Sequence, residues 1–273
     1  MKQANFYCKD YLVSGEEYHL EKWKHYEILK TSPVPENLST YYQSEDYISH
    51  TDASKSFTDK LYNAVKSYML QKKVGWIIKQ KKQGKLLDIG AGTGDFINAA
   101  SRYFEVDGVE PNAVARKNAA LKNLDLKNDI EEILEQYDVI TMWHVLEHVS
   151  NLEHQFKEFD RLLNKDGIIV IAVPNFKSKD AEIYKEHWAA YDVPRHLWHF
   201  SKFGIQKLFL ENGYNLIHSN GLIFDSFYVS LLSEKHKTGK QNLIPAFLNG
   251  LKSNLSAAST GEYSSMVYFF KKH

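Results

Sequence analysis

Three groups of residues have types and spacings suited to chemistry. The first is the run Lys85-Leu-Leu-Asp-Ile-Gly-Ala-Gly-Thr-Gly-Asp-Phe-Ile97, where Gly90, Gly92 and Gly94 separate an apolar segment from a helix starting near Asp95. A glycine turn at such a junction lets a ligand approach the backbone, because a Cβ would block it or forbid the φ > 0 conformations of a tight turn. Its G-x-G-x-G spacing differs from the G-x-G-x-x-G of dinucleotide sites. Asp88 and Asp95 flank the turn and suit a ligand bearing an ammonium group better than one bearing phosphates. About twenty residues beyond Asp88, Glu110 ends a predicted strand, where an acid can accept both hydroxyls of a ribose. The second group is Trp143-His-Val-Leu-Glu-His-Val149, whose His144 and His148 would share a face on a helix. The third is Tyr191-Asp-Val-Pro-Arg-His-Leu-Trp-His-Phe-Ser201, which sets Arg195, His196 and His199 among aromatics in a loop before a helix that Ser201 can cap. Histidine suits proton transfer at neutral pH, and loops at the carboxyl ends of strands are where α/β enzymes place it.

The glycine turn resembles motif I of the class I S-adenosylmethionine (SAM) dependent methyltransferases, in which it holds the methionine end of SAM. Leu146-Glu-His-Val149 is similar to a segment common in that family, and Asp192-x-Pro-Arg-His-Leu-x-x-Phe-Ser201 to one from a bacterial subgroup. The resemblance implies cofactor contacts from Asp88, Gly90, Ala91, Gly92 and Gly94, and from Glu110 with Pro111 at the ribose. It also implies adenine contacts from Asp129 and Ile130, and a contact from Trp143. Many of the subgroup carry two cysteine pairs in an N-terminal arm resembling a zinc ribbon; this chain keeps only Cys8, and aromatic packing is expected in place of the metal. Within the arm, the run Tyr41–His50 resembles a segment found upstream of the glycine turn in the same subgroup, so Tyr41, Tyr42 and His50 are candidate substrate liners if the arm is a lid. The plainer alternative is an arm that only buries aromatics. A few ubiquinone-pathway methyltransferases hold a metal with an E-x-x-E-H run; here His144 replaces the first acid. Glu147 and His148 are therefore read as structural, and no metal is expected.

The elements that must position these groups follow from periodicity. Apolar residues at helical spacing over 56–82 predict two helices divided near Lys72–Gly75. Strands are expected over Leu86–Ile89, Phe104–Asn112, Leu124–Asp129, Tyr137–Met142, Ile168–Val173, Tyr214–Ser219 and Ser264–Lys271, with the last antiparallel between the fifth and sixth. Ile168–Val173 is almost wholly apolar, as a central parallel strand should be. Helices fall between them, including Ala113–Leu121, Phe156–Leu163 and Phe203–Asn212, and 222–262 is a long connection with two helical pieces around polar Ser233–Gln241. The expected fold is therefore α/β: a Rossmann-like, seven-stranded, mostly parallel sheet with helices on both faces, preceded by a helical, aromatic arm. Residues 1–55 would form the arm or lid and 56–273 the SAM-dependent domain.

Composition sets the outer bounds. The 273 residues suit one large domain with an appendage. Lys+Arg and Asp+Glu are both 34, which gives no electrostatic reason to expect nucleic acid or a membrane surface as partner. No apolar run reaches transmembrane length, the N-terminus lacks a signal-peptide core, and a lone cysteine cannot close a disulfide; a cytoplasmic setting is expected.

Methyl transfer from SAM is an in-line displacement, so the protein must chiefly hold methyl group and nucleophile close and aligned. A base is needed only where the nucleophile must lose a proton. The reading is a methyltransferase acting on a small-molecule acceptor, with His196 or His144 as base and Arg195 orienting the acceptor; the plainer alternative is that Arg195 simply pairs with Asp192 and His199 caps a core. A SAM-binding protein without activity, an NAD-dependent oxidoreductase, and a different SAM-using reaction stay open at this stage.

Overall fold

The computed structural model describes residues 6–42 and 57–273, with side chains left undescribed over 57–62. His50, proposed above as a liner, and most of the run Tyr41–His50 lie outside the described residues. The chain forms two sheets. The larger has the order β5-β4-β6-β7-β10-β9, built from Glu105–Val109, Lys85–Ile89, Tyr137–Trp143, Leu163–Pro174, Ser265–Lys272 and Tyr214–Gly221. β4 pairs in parallel with β5 and β6, and β10 runs antiparallel between β7 and β9 as its position in the sequence led one to expect. Among the described residues this sheet has six strands rather than seven: 124–129 makes a single parallel bridge, Val109 to Lys127, and no strand. Lys122, Asn123 and Asp125 interrupt the apolar pattern there, and the segment buries little besides Leu126.

By contacts the chain divides into two compact units, the first comprising Met1–Ser49, Leu146–Ser150 and Ala172–Tyr268, the second His50–Val145, Asn151–Ile171 and Phe269–His273. In the second unit, α1 (Phe57–Gln80) precedes β4. It is one continuous helix of 24 residues, not two, because Gly75 in a helix interior costs only about 1 kcal/mol. α2 (Asp95–Ala100) and α3 (Ala113–Ala120) follow β4 and β5, and Asn112 caps α3 by accepting from the Val114 and Ala115 amides. α4 (Leu152–Leu162) follows an Asn151 cap and buries Leu152, Phe156, Phe159 and Leu162 at i, i+4, i+7 and i+10.

The first unit corrects the reading of the arm. It is a sheet, not helical: β1 (Phe6–Lys9), β2 (Glu17–Lys22) and β3 (Ile28–Ser32) are antiparallel, and β8 (Trp198–Phe200) adds a fourth strand from far along the chain. Gly204 lies so close to β3 that a Cβ there would meet the Glu27 carbonyl oxygen at 2.2 Å. Cys8 is buried within this unit, in one apolar cluster with Tyr18, Trp188 and Tyr191. α5 (Lys179–Tyr184) and α6 (Lys202–Glu211) follow β7 and β8, and Ser201 caps α6 through the Gly204 amide. The connection 222–262 is more helical than its polarity suggested: α7 (Asp225–Thr238) and α8 (Leu243–Thr260) absorb most of it.

Candidate functional site

In the second unit the glycine turn is built as its spacing requires. Gly90, Gly92 and Gly94 have φ of 74°, 56° and 78°, in the left-handed region that disfavours side chains. Packing already demands glycine at two of them: a Cβ on Gly90 would meet Val145 at 2.4 Å, and one on Gly94 would meet Leu124 at 2.4 Å. Gly92 is different. A Cβ there would meet nothing within 4 Å, so its absence keeps space open above the turn. The Gly90 and Ala91 amides donate to the Val109 carbonyl at 2.8 and 2.9 Å, tying the turn to β5.

Two carboxylates bracket this space. Glu110 accepts from the Gly92 amide at 2.7 Å and from the Asn112 amide at 2.8 Å, so the acid at the end of β5 touches the glycine turn directly. Asp88 is buried at the end of β4 and accepts from the Thr141 hydroxyl at 2.5 Å. Burial pushes its carboxyl up to about 7, Glu110 adds to the rise, and Thr141 and Lys73 oppose it. Asp95, predicted to flank the ligand, is instead held by Lys66 at 2.6 Å and Lys122 at 2.5 Å, and those two lysines hold its carboxyl below the usual range. Of the two acids, Asp88 is the one without a lysine partner at salt-bridge distance among the described residues.

Trp143 lies 5.0 Å from the Phe96 ring, and Lys73 sits 4.2 Å above its indole. Its indole N–H is buried and meets no acceptor among the described residues, a donor left for a ligand. Pro111 is exposed between Glu110 and the α3 cap, and the Arg116 guanidinium bonds the Glu110 and Pro111 carbonyls at 2.6 and 2.8 Å. Asp129 caps a short 3₁₀ turn by accepting from the Glu131 amide at 3.0 Å, and Ile130 opens that turn, half-buried. Lys73 and Thr141, which tune Asp88, were not found from sequence; their helical and strand periodicity marked them only as polar positions. An open cradle over Gly92, an acid at each strand end and an orphaned indole donor fit SAM's ammonium, ribose and ring.

In the first unit three histidines converge, and their tautomers follow from their partners. His148 Nδ1 lies 3.0 Å from the Arg195 carbonyl, which can only accept, so Nδ1 carries the proton and Nε2 the lone pair. Tyr42 donates to the same carbonyl at 3.2 Å. His196 Nδ1 lies 2.9 Å from the Ala190 carbonyl and is likewise protonated, leaving its Nε2 as acceptor. The two rings meet edge-on at 4.6 Å, and Glu147, fully buried, brings a carboxylate to the same place: one ligand atom from each of Glu147, His148 and His196 lies within 4.8 Å of the others. Among the described residues this is the cluster able to hold a divalent cation. Burial pushes the His148 imidazolium down to about 4, with His196 adding and Glu147 opposing.

The remaining predicted residues are placed otherwise. His199 is buried, and its Nε2 lies 2.9 Å from the Thr31 hydroxyl, which itself donates to the His196 carbonyl; the ring is a strut that locates His196. Arg195 is 1% exposed and bonds Asp192 twice through Nε and again through Nη2 at 2.6 Å, with Asp10 at 3.2 Å. The reading of Arg195 as a group that orients an acceptor does not fit this placement: the guanidinium is buried, and among the described residues its hydrogen bonds run to Asp192, Asp10 and the Tyr41 carbonyl. His144 does not share a helical face with His148. It belongs to the other unit, in the left-handed region at φ 59°, just after β6 and before a 3₁₀ turn over Leu146–His148. A histidine held there is strained by about 1–3 kcal/mol, a cost met most often at functional positions.

A family model described as a methyltransferase domain matches residues 60–219. The chain belongs to the class I SAM-dependent methyltransferase family. That membership decides between the SAM and dinucleotide readings of the glycine turn. Over 107 residues, 36% of this chain and 45% of the relative, it is 34% identical to the ubiquinone biosynthesis O-methyltransferase of Pelagibacter ubique. It is 26% identical over 159 residues to the protein of the same name from Bradyrhizobium diazoefficiens, covering 52% of this chain and 63% of that one. The chain thus spans about half to two thirds of the length of these relatives. Magnesium protoporphyrin IX methyltransferase from Synechocystis PCC 6803, solved with bound S-adenosylhomocysteine, shares the fold at TM-score 0.53 and 13% identity, over 86% of this chain and 97% of that one.

Proposed function

We propose that the protein transfers the methyl group of SAM to a hydroxyl of a small-molecule acceptor, with His196 as general base. The observation that carries the base assignment is the His196 Nδ1 bond to the Ala190 carbonyl, which leaves Nε2 as the proton-accepting atom. The Asp192 carboxylate lies 3.9 Å from that Nε2. On the cofactor side, Asp88 receives the ammonium, Glu110 exchanges its amide bonds for the ribose hydroxyls, and Gly92 leaves room for the methionine end. The matched relatives are named as O-methyltransferases, which accords with an acceptor that must lose a proton.

The cation cluster supports a second reading of the same residues. A divalent cation held by Glu147, His148 and His196 would lower the acceptor hydroxyl's pKa by Lewis-acid polarisation. His196 would then be a ligand and not the base. Calorimetric titration with SAM, S-adenosylhomocysteine and NADH, repeated with Glu110→Ala, tests the cofactor assignment: micromolar binding of the first two, lost in the variant and absent for NADH, is expected. Release of S-adenosylhomocysteine during a screen of phenolic and aliphatic hydroxyls then tests transfer. Turnover that survives chelation and falls at least tenfold in His196→Gln assigns the base; turnover lost to chelator and restored by one metal assigns the cation. Normal turnover in His196→Gln without metal dependence removes His196 from both roles.

A further inference from the structure

Helix α8 is turned inside out relative to an ordinary surface helix. Its inward residues are small, namely Ala246, Gly250, Ser253 and Ala257, while Leu243, Ile244, Phe247, Leu248, Leu251 and Leu255 are exposed. At ~100° per residue the buried set spans an arc of about 60° and the exposed apolar set a separate arc of about 140°. The rotation is fixed by polar contacts on the inner side. Ser253 donates to Asp180 at 2.6 Å and Asn249 to the Tyr184 hydroxyl at 2.9 Å. Gly250 lets the helix lie against α7, since a Cβ there would meet Phe227 at 2.7 Å. Ile244 at 75% and Leu248 at 56% exposure are therefore presented outward, and Phe247, 58% exposed, stacks one ring face on Phe227. A contiguous apolar face of this kind marks an interaction surface.

Charge identifies the occupant. From Lys235 to Gly261 the chain carries four lysines and no acid, and Glu234, just before, is buried and accepts from Tyr184. Lys235, Lys237 and Lys240 are exposed around the end of α7, immediately before the apolar face begins, and Lys252 is exposed on α8 itself. The zero net charge of the whole chain conceals this local excess. No helix among the described residues is long and apolar enough to cross a membrane. An exposed Leu/Ile/Phe face edged by lysines has instead the make-up of a helix lying in a lipid interface, with anionic headgroups drawing the lysines and acyl chains receiving the apolar side chains.

We propose that the outer face of α8, with the lysines ending α7, docks on an anionic lipid surface. The test is co-sedimentation of the full chain with vesicles of phosphatidylcholine and phosphatidylglycerol at about 3:1, beside vesicles of phosphatidylcholine alone. Partition onto the anionic vesicles is expected, falling at least tenfold in Phe247→Asp/Leu248→Asp and in Lys237→Glu/Lys240→Glu, and falling again as salt is raised. All four positions are exposed, so circular dichroism and SAM titration of the variants should match the parent; Leu255→Asp serves if the Phe247/Leu248 pair alters either. Equal recovery with and without vesicles overturns the proposal. So does light scattering that shows a dimer dissolved by Phe247→Asp/Leu248→Asp with no lipid partition, which would assign the face to a second copy of the chain.

Discussion

Replacing Arg195 by Met separates a structural guanidinium from one that handles an acceptor. The side chain joins Asp192 to Asp10, and Asp10 in turn accepts from the Leu12, Val13 and Ser14 amides and the Ser14 hydroxyl. Arg195 and the Asp10 carboxylate are 1% and 0% exposed. Breaking a buried pair by removing one partner costs about 3–5 kcal/mol, because the charge left behind is uncompensated. Asp10 keeps its amide donors and Asp192 is partly exposed, so the lower end, about 3 kcal/mol, is expected. At about 2–4 °C per kcal/mol for a chain near this size, Tm should fall by about 6–12 °C. Arg195→Lys should lose roughly half as much, since an ammonium keeps the charge but cannot span both acids. Coupling in the Arg195→Met/Asp10→Asn cycle should make the double variant less damaged than the sum of the singles. Thermal unfolding followed by circular dichroism reads all four proteins. An Arg195→Met protein that melts within about 1 kcal/mol of the parent yet loses turnover through a raised KM would refute the reasoning and return Arg195 to the acceptor.

The other expectations concern the cofactor and pH. Asp88, raised to about 7, must give up its proton to face an ammonium, so SAM affinity should weaken about tenfold between pH 8 and pH 6. Titrations in buffers of different ionisation enthalpy should report proton release near pH 7; a flat Kd and no release would remove Asp88 from contact with the ammonium. Gly92→Ala should cut SAM affinity at least tenfold while Tm falls by only a few degrees, because the space over Gly92 is open; unchanged affinity would mean the cradle is not used. The folded His148 pKa is depressed to about 4, so the native state favours the neutral ring and the unfolded chain takes the proton first. That stabilising contribution is fully present above the unfolded value of about 6.5 and is lost as pH falls towards 4. Urea unfolding at intervals from pH 7 to 4 should show a decline that is shallower in His148→Gln; parallel slopes would show that His148 does not titrate with folding.

How much of this was legible before the structure depends on the distance over which each rule acts. The glycine turn, the Ser201 cap and the strand ending in Glu110 are local patterns, and each stands where its spacing put it. The seventh strand failed because Leu124–Asp129 is short, ends in polar Lys127, Asn128 and Asp129, and buries little beyond Leu126, leaving one bridge at Lys127. The arm failed differently. Strands β1 to β3 are completed by β8, 165 or more residues away, and nothing in either segment's own pattern announces that pairing.

The histidines show why site geometry is the hardest part to read. A spacing of four between His144 and His148 has meaning on a regular helix, but a left-handed residue followed by a 3₁₀ turn separates them and delivers His148 to His196 instead. The partners that give these rings their chemistry are largely backbone carbonyls, those of Ala190 and Arg195, which any residue type would supply. Side-chain identity could therefore nominate His196 and His148, while which nitrogen carries the proton was fixed by the path of the chain around them. That path is set in turn by Arg195: its guanidinium anchors the loop to Asp10 and Asp192, and its own carbonyl fixes the His148 tautomer. The Arg195 side chain thus anchors the loop whose own carbonyl leaves the neighbouring His148 Nε2 as a lone-pair donor, a placement that no spacing in the sequence announces.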